Sequence, residues 1–417
     1  MASVRKRKWK TKGETRFAWV VDFVGRDGKR GRQQFDTRAE ADAYRITIEG
    51  DIHRGDYRAQ AGSTTVQQAA RLFLDHCHER MHRRERMTRH NLNVYEGHIA
   101  NYIAPSVVRS SPRKRTRARS PFDKGLDDTT LRELTTGRVE RFCDDLKKTD
   151  IAVPTIRKIL GTLKQILRFA VSRDLVAINV ARDVRVIGRR DQGARKIVPP
   201  SKEDMRLLIA AADEDFRVML VVAAATGARA GEFHALRWKH VDLARGEVRI
   251  ITRVDAYGSE DVTKTEAGMR EVPLGSEVVA MLKDWKRRSK FTKPDDLVFT
   301  NERGNYVNHD NMVKRRFRPL FEKLQAAHEE DPVEHPRAPA YFNWHALRHF
   351  AISCWIEADL KPKTVQTFAG HSSLQVTMDR YGHLFKSEDH KATMDRIAKG
   401  VFGGDLKTKK NKALQAL

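Results

Sequence analysis

The sequence predicts a multidomain protein that is mainly α-helical with small β-sheets. Its 417 residues are too many for one ordinary hydrophobic core. Strand-like alternation is confined to the N-terminus and to one segment near residues 247–274, whereas most other apolar positions follow a helical period. A stretch that contains Gly188, Gly193, Pro199 and Pro200 has the composition of a linker.

Residues 1–58 are predicted to form a three-stranded sheet followed by one helix. Residues 16–24 are rich in aromatic and β-branched side chains, and further strands are expected at 4–9 and 29–35. Thr37 with the glutamate three residues later forms a capping box, which begins a helix that ends near Arg54. The first 35 residues hold 11 Lys or Arg against 3 Asp or Glu. This sheet could lie in a DNA groove, or its basic face could simply be solvated.

The remaining chain is predicted to form two larger domains. Residues 64–182 read as all-helical, with a basic loop between Val108 and Asp127 that could contact phosphates or simply be solvated. The longest apolar helical pattern in that domain comprises Ile156, Ile159, Leu160, Leu163, Ile166, Leu167 and Ala170. The predicted boundaries that follow are a linker at 183–200, an α+β domain at 201–403 and a basic tail at 404–417.

Composition indicates a polyanionic partner. Lys and Arg number 80 and Asp and Glu number 55, so the net charge is +25. Nucleic acid is the simplest partner for such an excess, although a basic protein can also be merely soluble. The three cysteines form neither a disulfide framework nor a zinc spacing. Because of these spacings we expect no metal site. No secretory signal and no apolar run near ~18 residues is evident, so we expect a cytoplasmic protein.

A set of polar residues in the C-terminal domain suits phosphodiester chemistry. Arg229 follows a Thr-Gly pair, His345 and Arg348 share one helix face, and His371 and Tyr381 follow. Metal-free phosphodiester exchange needs arginines for the phosphate oxygens, a nucleophile, an acid and fixed donors. Each residue alone is weak evidence, because such side chains are usually structural. Their order and spacing together form the signal.

These motifs resemble those of the tyrosine recombinase (phage integrase) family. Residues 226–243 resemble the first box of the family and residues 345–381 resemble the second. The steps from 348 to 371 and from 371 to 381, 23 and 10 residues, fit as well. Residues 263–274 resemble the hairpin that carries the lysine of the family. The middle domain more loosely resembles the core-binding domain, and the N-terminal sheet resembles an arm-type DNA-binding domain.

The resemblance implies a role for each matched residue. Tyr381 would attack the scissile phosphate and form a 3′-phosphotyrosine with a free 5′-hydroxyl. Arg229 and Arg348 would bind the non-bridging oxygens, and Lys264 would protonate the 5′ oxygen. Because the covalent link retains the bond energy, the resemblance implies no cofactor and no required metal.

The other polar residues are expected to assist. His345 would help proton transfer and His371 would donate to a phosphate oxygen. Glu232 would orient the first arginine as a supporting residue. His349 and His383 lie next to matched positions, and we expect structural roles for both.

The resemblance favours an integrase that inserts or excises a mobile element or prophage. Its partners would be double-stranded DNA with core and arm sites, three further copies of itself in a tetramer, and accessory DNA-bending or directionality proteins. Two alternatives stay open: DNA relaxation like that of a type IB topoisomerase, and a non-cleaving DNA-binding regulator with the same fold. Recombination needs a tetramer on two duplexes, whereas relaxation needs one subunit.

Overall fold

The computed structural model confirms a mainly helical chain with small antiparallel sheets. It divides into two compact units, Met1–Gly193 and Ala194–Leu417. The structure describes residues 2–11, 14–25, 28–83, 85, 87–106, 122–188, 197–262, 268–385, 394 and 397–399. Among these residues, no helix is long and apolar enough to cross a membrane.

The first unit opens with the predicted three-stranded sheet and helix. Val21 and Phe23 are buried against Ala41 and Ile48 of the helix, which forms a small core of its own. The capping box at Thr37 is present. The elements are β1 (Ala2–Thr11), β2 (Glu14–Val24), β3 (Arg30–Phe35), all antiparallel in that order, and α1 (Arg38–Arg54).

The face of this sheet opposite α1 is basic. The strand register and the alternation of side chains place five arginines on it: Arg5, Arg7, Arg16, Arg30 and Arg32. Asp22 accepts from Arg5 Nε at 2.7 Å and from Arg32 Nε at 2.6 Å. Asp22 therefore offsets only part of the positive charge on this face.

The rest of the first unit is a helical core. Its helices are α2 (Val66–His82), α3 (Arg89–His98), α4 (Thr136–Lys147) and α5 (Val153–Ser172). Thr65, Thr88 and Thr135 cap α2, α3 and α4, as side-chain acceptors for the free N–H groups of the first turn. The sequence predicts a helix over about 88–103, and a wide turn over Ile99–Ile103 extends α3 to that end. All seven predicted apolar positions of α5 are buried.

The predicted linker at 183–200 begins too early. Val184 and Val186 are buried in the helical core, and Lys164 Nζ donates to the carbonyl of Val184 at 2.8 Å. Val184 and Val186 are separated by an arginine and preceded by other charged residues. So few apolar residues in so charged a segment are too weak a pattern to predict burial. Residues 189–196 lie outside the described part of the chain.

The predicted basic loop and tail are described only in part. Of the loop at 108–127, residues up to 121 lie outside the described residues. Leu126 is fully buried, and its N–H donates to the carbonyl of Ile103 at 2.7 Å. The last part of this loop is therefore core. The tail at 404–417 lies outside the described residues.

The second unit packs helices around a small sheet. Strands β4 (Val241–Asp242), β5 (Glu247–Ile250) and β8 (Arg270–Pro273) form one antiparallel sheet, and β6 (Thr252–Val254) and β7 (Glu260–Val262) form a hairpin. The sequence predicts one strand over 247–253, but the structure divides this segment between β5 and β6. The elements are α6 (Lys202–Ala211), α7 (Glu214–Thr226), α8 (Ala230–His234), β4 (Val241–Asp242), β5 (Glu247–Ile250), β6 (Thr252–Val254), β7 (Glu260–Val262), β8 (Arg270–Pro273), α9 (Ser276–Arg288), α10 (His309–Met312), α11 (Arg318–Glu330), α12 (Ala346–Glu357), α13 (Pro362–Ala369) and α14 (Leu374–Tyr381).

The sequence predicts one helix over about 309–328, but the structure interrupts it. A wide turn over Val313–Phe317 separates α10 from α11. Pro319, in the first turn of α11, lacks an N–H and its ring would clash with the carbonyl four residues earlier in a regular helix. The wide turn removes that clash, and the chain continues in the same direction.

Candidate active site

Three arginines converge on the C-terminal end of α13. Arg229, Arg270 and Arg348 each donate to a backbone carbonyl within residues 368–370. The distances are 3.1 Å for Arg229 Nη2 and 2.7 Å for Arg270 Nε. The last carbonyls of a helix lack partners within the helix and carry partial negative charge, so they are suitable acceptors for guanidinium groups.

One carboxylate lies among these arginines. Glu232 Oε1 accepts from Arg229 Nη1 and Glu232 Oε2 accepts from Arg270 Nη2, both at 2.8 Å. Burial raises the pKa of Glu232, but the ion pairs with Arg270 and Arg229 outweigh burial and lower that pKa to about 2. The contact between Glu232 and Arg229 is the one that the expected orienting role requires.

Arg348 joins the ends of two helices. Its Nη1 donates to the carbonyl of Gly227 at 2.8 Å, and Gly227 ends α7 in the left-handed conformation at φ +57°. Burial, followed by the charges of the neighbouring Arg229 and Arg270, lowers the pKa of Arg348 to about 9. Three guanidinium groups thus face one carboxylate. The remaining positive charge would be stabilised by a bound anion.

Of the two residues expected to transfer protons, the structure describes His345 but not Lys264. His345 lies exposed immediately before α12, one helical turn from His349. Desolvation and then the charges of Arg348 and Arg229 lower its pKa. Lys264 lies within residues 263–267, outside the described part of the chain, between β7 and β8.

Tyr381 is the last residue of α14 and its side chain is buried, with only 1% of the residue exposed. The ring of His371 stacks on it at 6.1 Å between centroids and 17° between planes. Burial lowers the pKa of His371 to about 3, and its Nδ1 lies 2.9 Å from Thr377 Oγ1. Burial raises the pKa of Tyr381, while Arg348 and other arginines act in the opposite direction.

Two residues of this site were not among the sequence-predicted set. Arg270 is a buried partner of Glu232, and His349 Nδ1 lies 2.5 Å from the hydroxyl of Tyr381. These contacts join residues 38 and 32 positions apart, so no local spacing reveals them. His383 instead contacts the carbonyl of Ile197 through Nε2 at 3.1 Å.

Known proteins share these motifs. The profile of the phage integrase family matches residues 201–388, which contain every arginine, histidine and tyrosine of this candidate site. Residues 201–388 therefore form a phage integrase domain. The protein is a tyrosine recombinase, an enzyme of site-specific DNA recombination.

Relatives with curated names agree with this assignment. The tyrosine recombinase XerC-like protein of Caldanaerobacter subterraneus is 23% identical over 321 residues, 70% of this chain and 74% of that protein. The ICEBs1 integrase of Bacillus subtilis is 23% identical over 309 residues, 70% of this chain and 79% of that protein.

A solved structure has the same fold. The Tn1549 transposon integrase in complex with transposon right end DNA matches with a TM-score of 0.60 at 18% identity. The match covers 80% of this recombinase and all of that chain.

Within the described ranges, no group of three or more His, Cys, Asp or Glu is placed to hold a metal ion.

Arg270→Ala is expected to destabilise the second unit of the recombinase. The substitution leaves Glu232 buried with one ion-pair partner fewer, and breaking a buried pair costs about 3–5 kcal/mol of unfolding free energy. Urea unfolding followed by tryptophan fluorescence measures the effect, because four of the six tryptophans lie in the second unit. Arg206→Ala is the control, since its pair with Glu203 is exposed and should contribute at most about 1 kcal/mol. Equal losses for the two variants would contradict the buried-pair argument.

Proposed function

We propose that this recombinase cuts DNA with Tyr381, forms a 3′-phosphotyrosine intermediate and rejoins the strands to integrate or excise a mobile element. The observation that supports the proposal most strongly is the excess of buried positive charge around Arg348, next to a buried tyrosine. A phosphodiester supplies the missing negative charge, and the tyrosine supplies the nucleophile.

The proposed roles follow from where each side chain lies. Arg348 is fixed by two helix ends, so its remaining N–H groups are preorganised for a non-bridging oxygen. Arg229 is 42% exposed in its side chain and can turn toward the same phosphate. His371 would donate to a phosphate oxygen and His345 would assist proton transfer. Lys264 would protonate the leaving 5′ oxygen.

The proposed partners are duplex DNA and further copies of the chain. Exchange between two duplexes cuts four strands, so four tyrosines and hence a tetramer are required. The ICEBs1 integrase and the Tn1549 transposon integrase are named for mobile elements, which supports a mobile element as the substrate here. Accessory DNA-bending proteins and a cytoplasmic location in a bacterial cell, where such DNA resides, belong to the same proposal.

The domain assignment remains a proposal with the same support. Residues 1–58 would bind arm sites, residues 64–182 would bind the core site, and residues 201–403 would carry out the chemistry. The five-arginine face of the N-terminal sheet is the feature that favours arm-site binding. Proteins that read DNA with strands place them in a groove, so this face would lie against the DNA.

Trapping the covalent intermediate tests the proposed function. A nicked duplex, from which the 5′-hydroxyl fragment diffuses away after cleavage, should accumulate a protein–DNA adduct. Peptide mapping should place the adduct on Tyr381, and end mapping should place it on a 3′ phosphate and locate the crossover sites. An adduct at a 5′ end would overturn the mechanism.

The same experiment separates the alternatives. Two duplexes carrying the mapped sites should yield a four-way junction and recombinant products. Relaxation of supercoiled DNA without any strand exchange would instead favour a type IB topoisomerase-like activity. Binding without any adduct would favour a regulator that no longer cuts.

Replacing Arg7 and Arg30 together by alanine is expected to weaken arm-site binding and leave core-site cleavage intact. Both side chains are exposed on the basic face of the sheet. If each neutralises one phosphate, the slope of log affinity against log salt should fall by about 1.8, at about 0.9 per contact. Fluorescence anisotropy of an arm duplex at several salt concentrations measures this slope. The double variant Lys147→Ala and Lys148→Ala removes the same charge from α4 and should leave the slope unchanged; an equal change there would refute a specific role for the sheet.

A further inference from the structure

The hydroxyl of Tyr381 has a specific partner in the DNA-free chain. His349 Nδ1 lies 2.5 Å from Tyr381 Oη, within hydrogen-bond distance. His349 is partly buried on α12, directly after Arg348, so its backbone is fixed next to a phosphate-binding arginine. The proposed nucleophile on α14 therefore contacts a residue of α12 that directly follows the proposed phosphate-binding arginine.

The direction of this hydrogen bond is set by charge. Burial, followed by the charges of the neighbouring His345, Arg348 and Arg380, lowers the pKa of His349 to about 4. His349 is thus neutral near pH 7, and a phenol whose pKa is raised remains protonated. The phenol must donate and Nδ1 must accept, so the ring proton of His349 lies on Nε2.

We propose that His349 is the general base of the reaction and accepts the phenolic proton of Tyr381 during attack on DNA. This inference rests on the proposed role of Tyr381 as nucleophile. As the bond from Tyr381 Oη to phosphorus forms, the phenolic proton moves to His349 Nδ1. The bond from phosphorus to the 5′ oxygen breaks, and that oxygen takes a proton from a separate acid. On rejoining, His349 returns its proton to the departing tyrosine oxygen.

Binding of DNA would make His349 a stronger base. The groups that face it are His345 and Arg348 on α12 and Arg380 and Tyr381 on α14. Arg348 and Arg380 disfavour its protonated form in the free chain. A phosphate bound by Arg348 offsets that charge, because an anion near an imidazole favours the imidazolium. The base would therefore gain basicity when its substrate arrives.

A structural role for His349 makes a different prediction. If His349 only holds the tyrosine ring in place, any side chain that accepts the same hydrogen bond should suffice. Asparagine carries a carbonyl oxygen close to the place of Nδ1, but this oxygen does not take up a proton near neutral pH. His349→Asn therefore retains the hydrogen bond and removes the base.

The test is single-turnover adduct formation by the full chain on the mapped nicked duplex. His349→Asn and His349→Ala should both slow the reaction by roughly 100-fold or more, the contribution typical of a general base. DNA affinity should stay close to that of the wild type. Fluorotyrosine at position 381, whose phenol is more acidic, should recover the rate of His349→Asn severalfold because it needs less help to lose its proton. His383→Asn is the control, because His383 lies just after α14 but contacts the backbone carbonyl of Ile197. This variant should react at the wild-type rate.

The possible results separate two failures. A wild-type rate for His349→Asn would overturn the base assignment and leave Tyr381 as nucleophile. No recovery by fluorotyrosine would also overturn it, since the defect would then not concern the phenolic proton. If Tyr381→Phe still forms adducts, the nucleophile assignment fails first and the base assignment fails with it.

Discussion

Tyr381→Phe is expected to abolish covalent protein–DNA adducts while DNA binding stays nearly unchanged. The substitution removes one oxygen atom and keeps the ring that packs against His371. Without the nucleophile, cleavage should fall on the order of 10⁴-fold or more, to the level of background. Adducts that survive detergent on a nicked duplex measure cleavage, and gel retardation measures binding.

The stability of this variant should change little. Tyr381→Phe loses one hydrogen bond to His349, and a hydrogen bond contributes about 1 kcal/mol to the unfolding free energy. Tyr341→Phe is the matched control, because Tyr341 packs at the surface against Phe321 and touches none of the proposed site. Adducts at the wild-type level in Tyr381→Phe would show that another residue attacks the phosphate.

Local sequence signals predicted most of the fold. Helix starts such as Thr65 and Thr135 are encoded by side chains that accept from N–H groups three residues on, so a short window is enough. The buried stripe of α5 is encoded by helical periodicity over 20 residues. These features depend on neighbours in sequence and not on the packing of distant segments.

The errors lie where distant contacts decide. Val184 and Val186 are buried because the helical core accepts them, although their sequence neighbours are charged and linker-like. The break between α10 and α11 depends on how one proline is accommodated, which a helical apolar pattern does not report. In both places the local pattern was weaker than the tertiary environment.

The site shows the same division. Arg229, Arg348, His371 and Tyr381 were predicted because their motifs resemble a known family. Their neighbours in space were not, because partners such as Arg270 come from other segments and carry no motif of their own. The resemblance therefore predicts which residues react, and the structure shows which side chains contact them.

Arg348→Ala is expected to lower the cleavage rate by roughly 10³-fold, because it removes donors fixed toward the charge that develops on the phosphate. Arg348→Lys restores one positive charge, but an ammonium cannot bridge the ends of α7 and α13 as a planar guanidinium does. Most of the loss should therefore remain in Arg348→Lys. Single-turnover adduct formation at saturating protein isolates this effect from DNA affinity, with Arg206→Ala as an exposed arginine control.

Stability gives an independent check on the same argument. In the free chain, burial is the largest cause that lowers the pKa of Arg348 to about 9, and repulsion by Arg229 and Arg270 adds to it. Removing it leaves two carbonyls without their donor but also relieves that repulsion, so the loss of unfolding free energy should be smaller than in Arg270→Ala. If Arg348→Ala lowers the cleavage rate strongly but the unfolding free energy only slightly, the main role of Arg348 is to bind the phosphate. If Arg348→Ala instead unfolds the second unit more readily than Arg270→Ala, Arg348 mainly holds the helix ends together, and the excess charge is a consequence of packing.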